Sequence, residues 1–118
     1  MASRRMWFDK QGNPLSDYAR IENLCRDVDY KRIAEDTLAE NGLWVSTVWL
    51  GLNHNWGDGP PLIFETMVFR SQAEFHDLDC DRYATEAEAR EGHTRMVAKW
   101  RSHRITVDEE ETGRKLKL

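Results

Sequence analysis

The stretch Asn53-His54-Asn55-Trp56-Gly57-Asp58-Gly59-Pro60-Pro61 holds the densest binding chemistry in the chain. Its amide, imidazole and carboxylate side chains can donate and accept hydrogen bonds. Trp56 can stack on a base or fill an apolar pocket of a partner. Gly57 and Gly59 allow close backbone approach. The stretch is longer than a hairpin connection needs, and such loops commonly carry function. The competing expectation is that Trp56 folds back on the core and the polar residues make Asx turns. Two charged residues join the set. Glu65 is the one charge inside the apolar run Leu62 to Phe69, and Arg70 follows it. A carboxylate among apolar groups must be paired or wet. An ion pair with Arg82 or Arg95 meets that need, and a ligand contact is the alternative. The candidate ligand- or partner-binding residues are therefore Asn53, His54, Asn55, Trp56, Asp58, Glu65 and Arg70.

Metal and catalytic chemistry have weaker signals. His54, His76, Cys80 and His93 are ligand types, and His76-x-x-x-Cys80 would fit one helical turn. The chain has no HExxH, no CxxC and no His-x-His, so no metal site and no cofactor are expected. There is no GxSxG, no Cys-His signature, no Walker loop and no dinucleotide fingerprint. A small hydrolase or metal-dependent enzyme remains the alternative. It would require His54, Glu65 and His93 to converge on one cavity.

The chain has 118 residues, of which 40% are hydrophobic. That suits one α+β domain over residues 1–106, followed by a charged, flexible tail over 107–118. The net charge of −4 argues against sequence-independent nucleic-acid binding. No apolar run approaches the roughly 18 residues that span a bilayer. The basic start lacks the apolar segment of a signal peptide, so the cytosol is the default location. There, Cys25 and Cys80 are expected to be reduced, small buried residues.

The elements that must position the loop follow from periodicity. Ser16 reads as a helix N-cap, with a helix over Asp17 to Arg26 and an apolar stripe of Ile21, Leu24, Cys25 and Val28. Asn41-Gly42 is a strong hairpin signal. It makes Lys31 to Leu38 a charged edge strand paired with the run from Trp44. The run Leu43 to Leu52 and the run Leu62 to Phe69 form a second antiparallel hairpin. If Leu52 sits opposite Leu62, Glu65 lies across from Trp49 and shares a face with Thr47. Both faces of the central strand carry apolar residues, so helices on one side and a second copy of the chain on the other are expected to cover it. Ser46 and Thr47 can satisfy each other or a ligand. Arg82 to Ala84 reads as a short last strand. Thr85 and Glu88 form a capping box for a helix over Glu86 to Ser102, with a stripe of Ala89, His93, Met96 and Trp100. On such a stripe His93 is expected to be a hydrogen-bonded core residue. The predicted architecture is a three- to four-stranded antiparallel meander packed against two helices.

Three stretches also carry a likeness. Val45 to His54, Pro60 to Phe69, and Arg82-Tyr83-Ala84-Thr85 through Ala89 to Gly92-His93 resemble a family of small bacteriophage proteins, common in phages of actinobacteria. The turn Gly12-Asn13-Pro14-Leu15-Ser16 is similar as well, so the likeness covers roughly residues 9–98. Family members often carry aspartate before the loop histidine, where this chain has Asn53. The resemblance implies a phage origin and a setting in the host cytoplasm, and it supplies no reaction. The expected function is a non-catalytic accessory protein that binds a host protein or a small, nucleotide-like ligand. A minor structural component of the virion is a further alternative.

Overall fold

The computed structural model describes residues 6–104. The tail expected over 107–118 lies outside the described residues. Two short strands come first, β1 (Trp7–Phe8) and β2 (Pro14–Leu15), paired antiparallel around the Gly12 turn. Helix α1 (Tyr18–Arg26) is capped by Asp17, one residue past the expected Ser16. Its carboxylate accepts from the backbone N–H groups of Ala19 and Arg20 at 3.0 and 3.4 Å. A full negative charge at a helix start also complements the helix dipole, which a serine cannot do. Asp27 ends α1 and caps a second helix of one turn, α2 (Val28–Lys31). That break turns Val28 outward, 60% exposed, so the expected stripe loses its last member.

Four strands follow in a meander: β3 (Arg32–Thr37), β4 (Trp44–Trp49), β5 (Phe64–Phe69) and β6 (Asp77–Tyr83), each antiparallel to the next. The fold is therefore α+β, with an antiparallel sheet as the sequence predicts. β3 is an edge strand, and Gly42 supplies the positive φ of the β3–β4 turn. β6 begins five residues earlier than expected. Its acidic run has poor strand propensity, but an edge strand with one neighbour tolerates charge well. Helix α3 (Glu86–Arg101) starts at the Thr85 cap, whose hydroxyl accepts from Glu88 N–H at 3.1 Å.

The register of β4 on β5 differs by one residue from the expected one. Thr47 faces Thr66, and Val48 faces Glu65. The cause is a local irregularity just beyond the strands. The N–H groups of both Leu50 and Gly51 reach Ile63 O, and Gly51 adopts φ 79°. The extra residue on one side shifts the pairing, and a one-residue shift exchanges faces. Glu65 and Thr47 therefore lie on opposite faces of the sheet.

Alternation along β4 puts Val45, Thr47 and Trp49 on the inner face, all buried, beneath the helices. Trp44, Ser46 and Val48 lie on the outer face and are half-buried within the single chain. Ser46 and Thr47 thus point apart and cannot satisfy each other. The core divides into two apolar clusters. One joins Leu15, Ile21, Trp49, Phe64, Tyr83 and Ala89. The other joins Leu38, Leu43, Val45, Val68 and Met96. No helix among the described residues is long and apolar enough to cross a membrane.

Candidate functional site

The loop from 53 to 61 is built by its own side chains. Asn53 Oδ1 accepts from the N–H groups of Asn55 at 2.7 Å and Leu62 at 3.1 Å, closing the base of the loop. Asn55 Nδ2 donates to the carbonyls of Asp58 at 3.3 Å and Pro60 at 2.9 Å, and its Oδ1 accepts from Gly57 N–H. His54 Nδ1 lies 2.7 Å from Leu52 O. Below the loop, Asn53 N–H donates to Met6 O and Phe8 N–H to Gly51 O, which ties it to β1. The two asparagines therefore act as Asx-type scaffolding, as the competing expectation held. Trp56 is not packed into the core: it is 65% exposed. The result is an aromatic ring displayed on a loop whose amides already hold it in shape.

The structure does not bring every candidate residue to this loop. Glu65 points to the outer face of the sheet, where its carboxylate accepts from Arg82 Nε at 2.9 Å. Its residue is only 7% exposed, so the pair supplies the charge that burial demands. Cys80 Sγ donates to the same carboxylate at 3.5 Å. Against expectation, Cys80 is an exposed residue and Cys25 is only half-buried. Local desolvation of the Cys80 sulfur, and then the Glu65 charge, push its thiol up to about 11. Arg70 follows the far end of β5, so the full length of that strand, about 20 Å, separates it from the loop side. Its Nη1 is sealed from solvent with no hydrogen bond among the described residues.

A second polar constellation was only partly legible in the sequence. Thr47 Oγ1 and Thr66 Oγ1 lie 2.5 Å apart, and Thr47 Oγ1 lies 2.7 Å from His93 Nδ1. His93 Nε2 lies 2.7 Å from Asp36 Oδ2. His93 is the core histidine that its stripe predicts, but its partners come from β3, β4 and β5. This polar layer separates the two apolar clusters along β4, β5 and α3 alike. The order carboxylate, imidazole, hydroxyl is that of an acyl-transfer triad. The geometry is inverted for that chemistry. Thr47 and Thr66 are fully buried, whereas the Asp36 side chain is 55% exposed. A substrate would meet the carboxylate and could not reach the hydroxyl. The shallow cleft over Asp36 and His93 holds about 220 Å³ and is lined by Thr94, Val97, Ala98 and Arg101. His93 is on the inner side of the sheet and Glu65 on the outer, so His54, Glu65 and His93 do not share a cavity.

Among the described residues, no three His, Cys, Asp or Glu side chains are placed to hold a metal ion. His76 and Cys80 do not share a helical turn, because Cys80 lies within β6 and His76 directly precedes that strand.

Asp79 fastens β6 to the end of α3. Its Oδ2 accepts from Lys99 Nζ at 2.7 Å and from Trp100 Nε1 at 2.8 Å, and its Oδ1 accepts from Cys80 N–H at 2.9 Å. Burial by itself would raise this carboxyl, but the three donors outweigh burial and hold it below the usual carboxylate value. A carboxylate depressed in the folded state adds stability above its unfolded pKa of roughly 4, and that stability is lost as pH falls through the folded value. Urea unfolding from pH 7 to pH 2 should therefore show a loss beginning below roughly pH 4. Asp79→Asn is expected to flatten that part of the profile. An unchanged acid profile in the variant would refute the assignment.

The chain matches no protein-family model, no curated protein and no solved structure.

Proposed function

We propose that this chain is a non-catalytic phage accessory protein that acts in the host cytoplasm by binding a host protein or a small ligand through its 53–61 loop. The observation that carries this reading is Trp56, 65% exposed at the tip of a loop that Asn53 and Asn55 hold in shape. A large ring displayed on a preorganised backbone loses little conformational entropy on binding. An indole also offers a flat face to a nucleotide base or a compact plug for an apolar pocket. The phage setting rests on the likeness of the two hairpin runs and the Arg82 to His93 segment to small actinobacteriophage proteins.

The test is affinity capture from host cytosol with the tagged protein, followed by mass spectrometry of proteins and of small molecules. Wild-type protein should enrich one partner. Trp56→Ala should keep its fold, because the side chain is exposed, and lose that partner by tenfold or more, on the order expected for a central aromatic anchor. Undiminished capture by Trp56→Ala would remove the loop from the binding surface.

A further inference from the structure

The sheet ends on β6, which has β5 as its only neighbour among the described residues. Tyr83 O accepts from Ile63 N–H at 3.0 Å, so Tyr83 directs its backbone groups toward β5. Backbone direction alternates along a strand, so Cys80 and Arg82 direct theirs outward. An outward N–H on an edge strand is what an added strand would use. Both of these donors are already taken, each by the carboxylate of the residue before it. Asp79 Oδ1 accepts from Cys80 N–H at 2.9 Å, and Asp81 Oδ1 accepts from Arg82 N–H at 2.9 Å. The opposite edge carries different features. β3 has a register shift between Arg32 and Ala34, and Arg90 Nη1 donates to Ile33 O at 3.2 Å.

We propose that Asp79 and Asp81 are edge guards that keep β6 from pairing with β6 of a second copy of this chain. Such pairing is self-complementary about a two-fold axis, which makes a second copy the natural occupant of an open edge. Centred on Cys80, it would set Asp79 of one copy against Asp81 of the other, and like charges directly opposite are unfavourable. The incoming carbonyls would also meet carboxylate oxygens in place of N–H donors. The guard therefore works twice, by occupying the donors and by repelling the acceptors.

Sedimentation across a concentration series tests this with three variants. Asp79→Ala/Asp81→Ala frees both donors and is expected to associate on the order of a hundredfold more tightly than wild type. Asp79 also holds Lys99 and Trp100, so the double variant is checked for folding by circular dichroism. Asp81→Ala alone frees the Arg82 N–H and leaves the Lys99 and Trp100 contacts of Asp79 in place, and should show a smaller gain in the same direction. Adding Cys80→Pro deletes one outward donor and should return the double variant to wild-type behaviour. Proline is tolerated on an edge where its nitrogen faces solvent. Folded Asp81→Ala and double variants that sediment like wild type would overturn the proposal. So would association that Cys80→Pro leaves unchanged.

Discussion

Trp49→Ala is expected to cost about 4 kcal/mol of folding stability, in the range of buried aromatic truncations. Trp49 is 2% exposed and stands at the junction of the sheet, the β1 arm and the α2 turn. Its Nε1 donates to Phe8 O at 2.9 Å, and the Tyr30 ring meets it edge-on with centroids 5.0 Å apart. Gly51 passes so close that a Cβ there would sit 2.5 Å from the indole. Removing the ring leaves a cavity and an unpaired carbonyl, and loosens the arm that supports the 53–61 loop. The midpoint of urea unfolding should fall accordingly with an unchanged slope. Trp49→Phe keeps most of the apolar surface and loses the hydrogen bond, so its cost should be about 1–2 kcal/mol. A loss below roughly 1 kcal/mol for Trp49→Ala would mean that this side chain does not anchor the core.

Gly92→Ala should destabilise, although alanine in an open helix is better than glycine by about 1 kcal/mol. Gly92 is buried in α3, and a Cβ at its position would lie 2.2 Å from the Tyr83 ring. Neither group can yield easily. The ring is part of the core, with Tyr83 only 6% exposed, and the glycine is fixed by the helix backbone. Overpacking of this kind costs about 1–3 kcal/mol and should outweigh the gain in propensity. The expected net change is a fall in Tm of several degrees. A double-mutant cycle with Tyr83→Ala isolates the cause. In that background the clash is gone, and Gly92→Ala should become neutral or stabilising. If the sign is the same in both backgrounds, the ring is not what requires glycine at 92.

These two residues show how unevenly the sequence discloses the fold. Trp49 lies in an apolar, β-branched run, so its place in a strand is legible from composition. Gly92 reads only as a small residue that permits close approach on α3, and nothing local names Tyr83 as the neighbour. The same split runs through the candidate site. Asn53 and Asn55 could be identified as turn-makers because an Asx turn is a local hydrogen bond, complete within a few residues. The pairing of Glu65 with an arginine was also foreseeable, because burial of a charge demands a counter-charge wherever it occurs. Which face Glu65 occupies was not. That depends on the irregularity at Leu50, Gly51 and Ile63, where one extra residue changes the register.

The sequence by itself determined the two longer helices and the strands of the two hairpins, in their order, but not the break that makes α2 or the extent of β6. Helix stripes, the Thr85 cap, the Asn41-Gly42 turn and the two apolar runs are local signals with a local cause. They suffice for an antiparallel meander with helices against it. Tertiary structure alone decided what meets what. It set Thr47 against Thr66 and His93, put Arg70 at the far end of β5 from the loop, and made an edge strand of the acidic run Asp77 to Tyr83. Each of these joins residues far apart in the chain, and their energies come from burial and register, which no window of sequence contains.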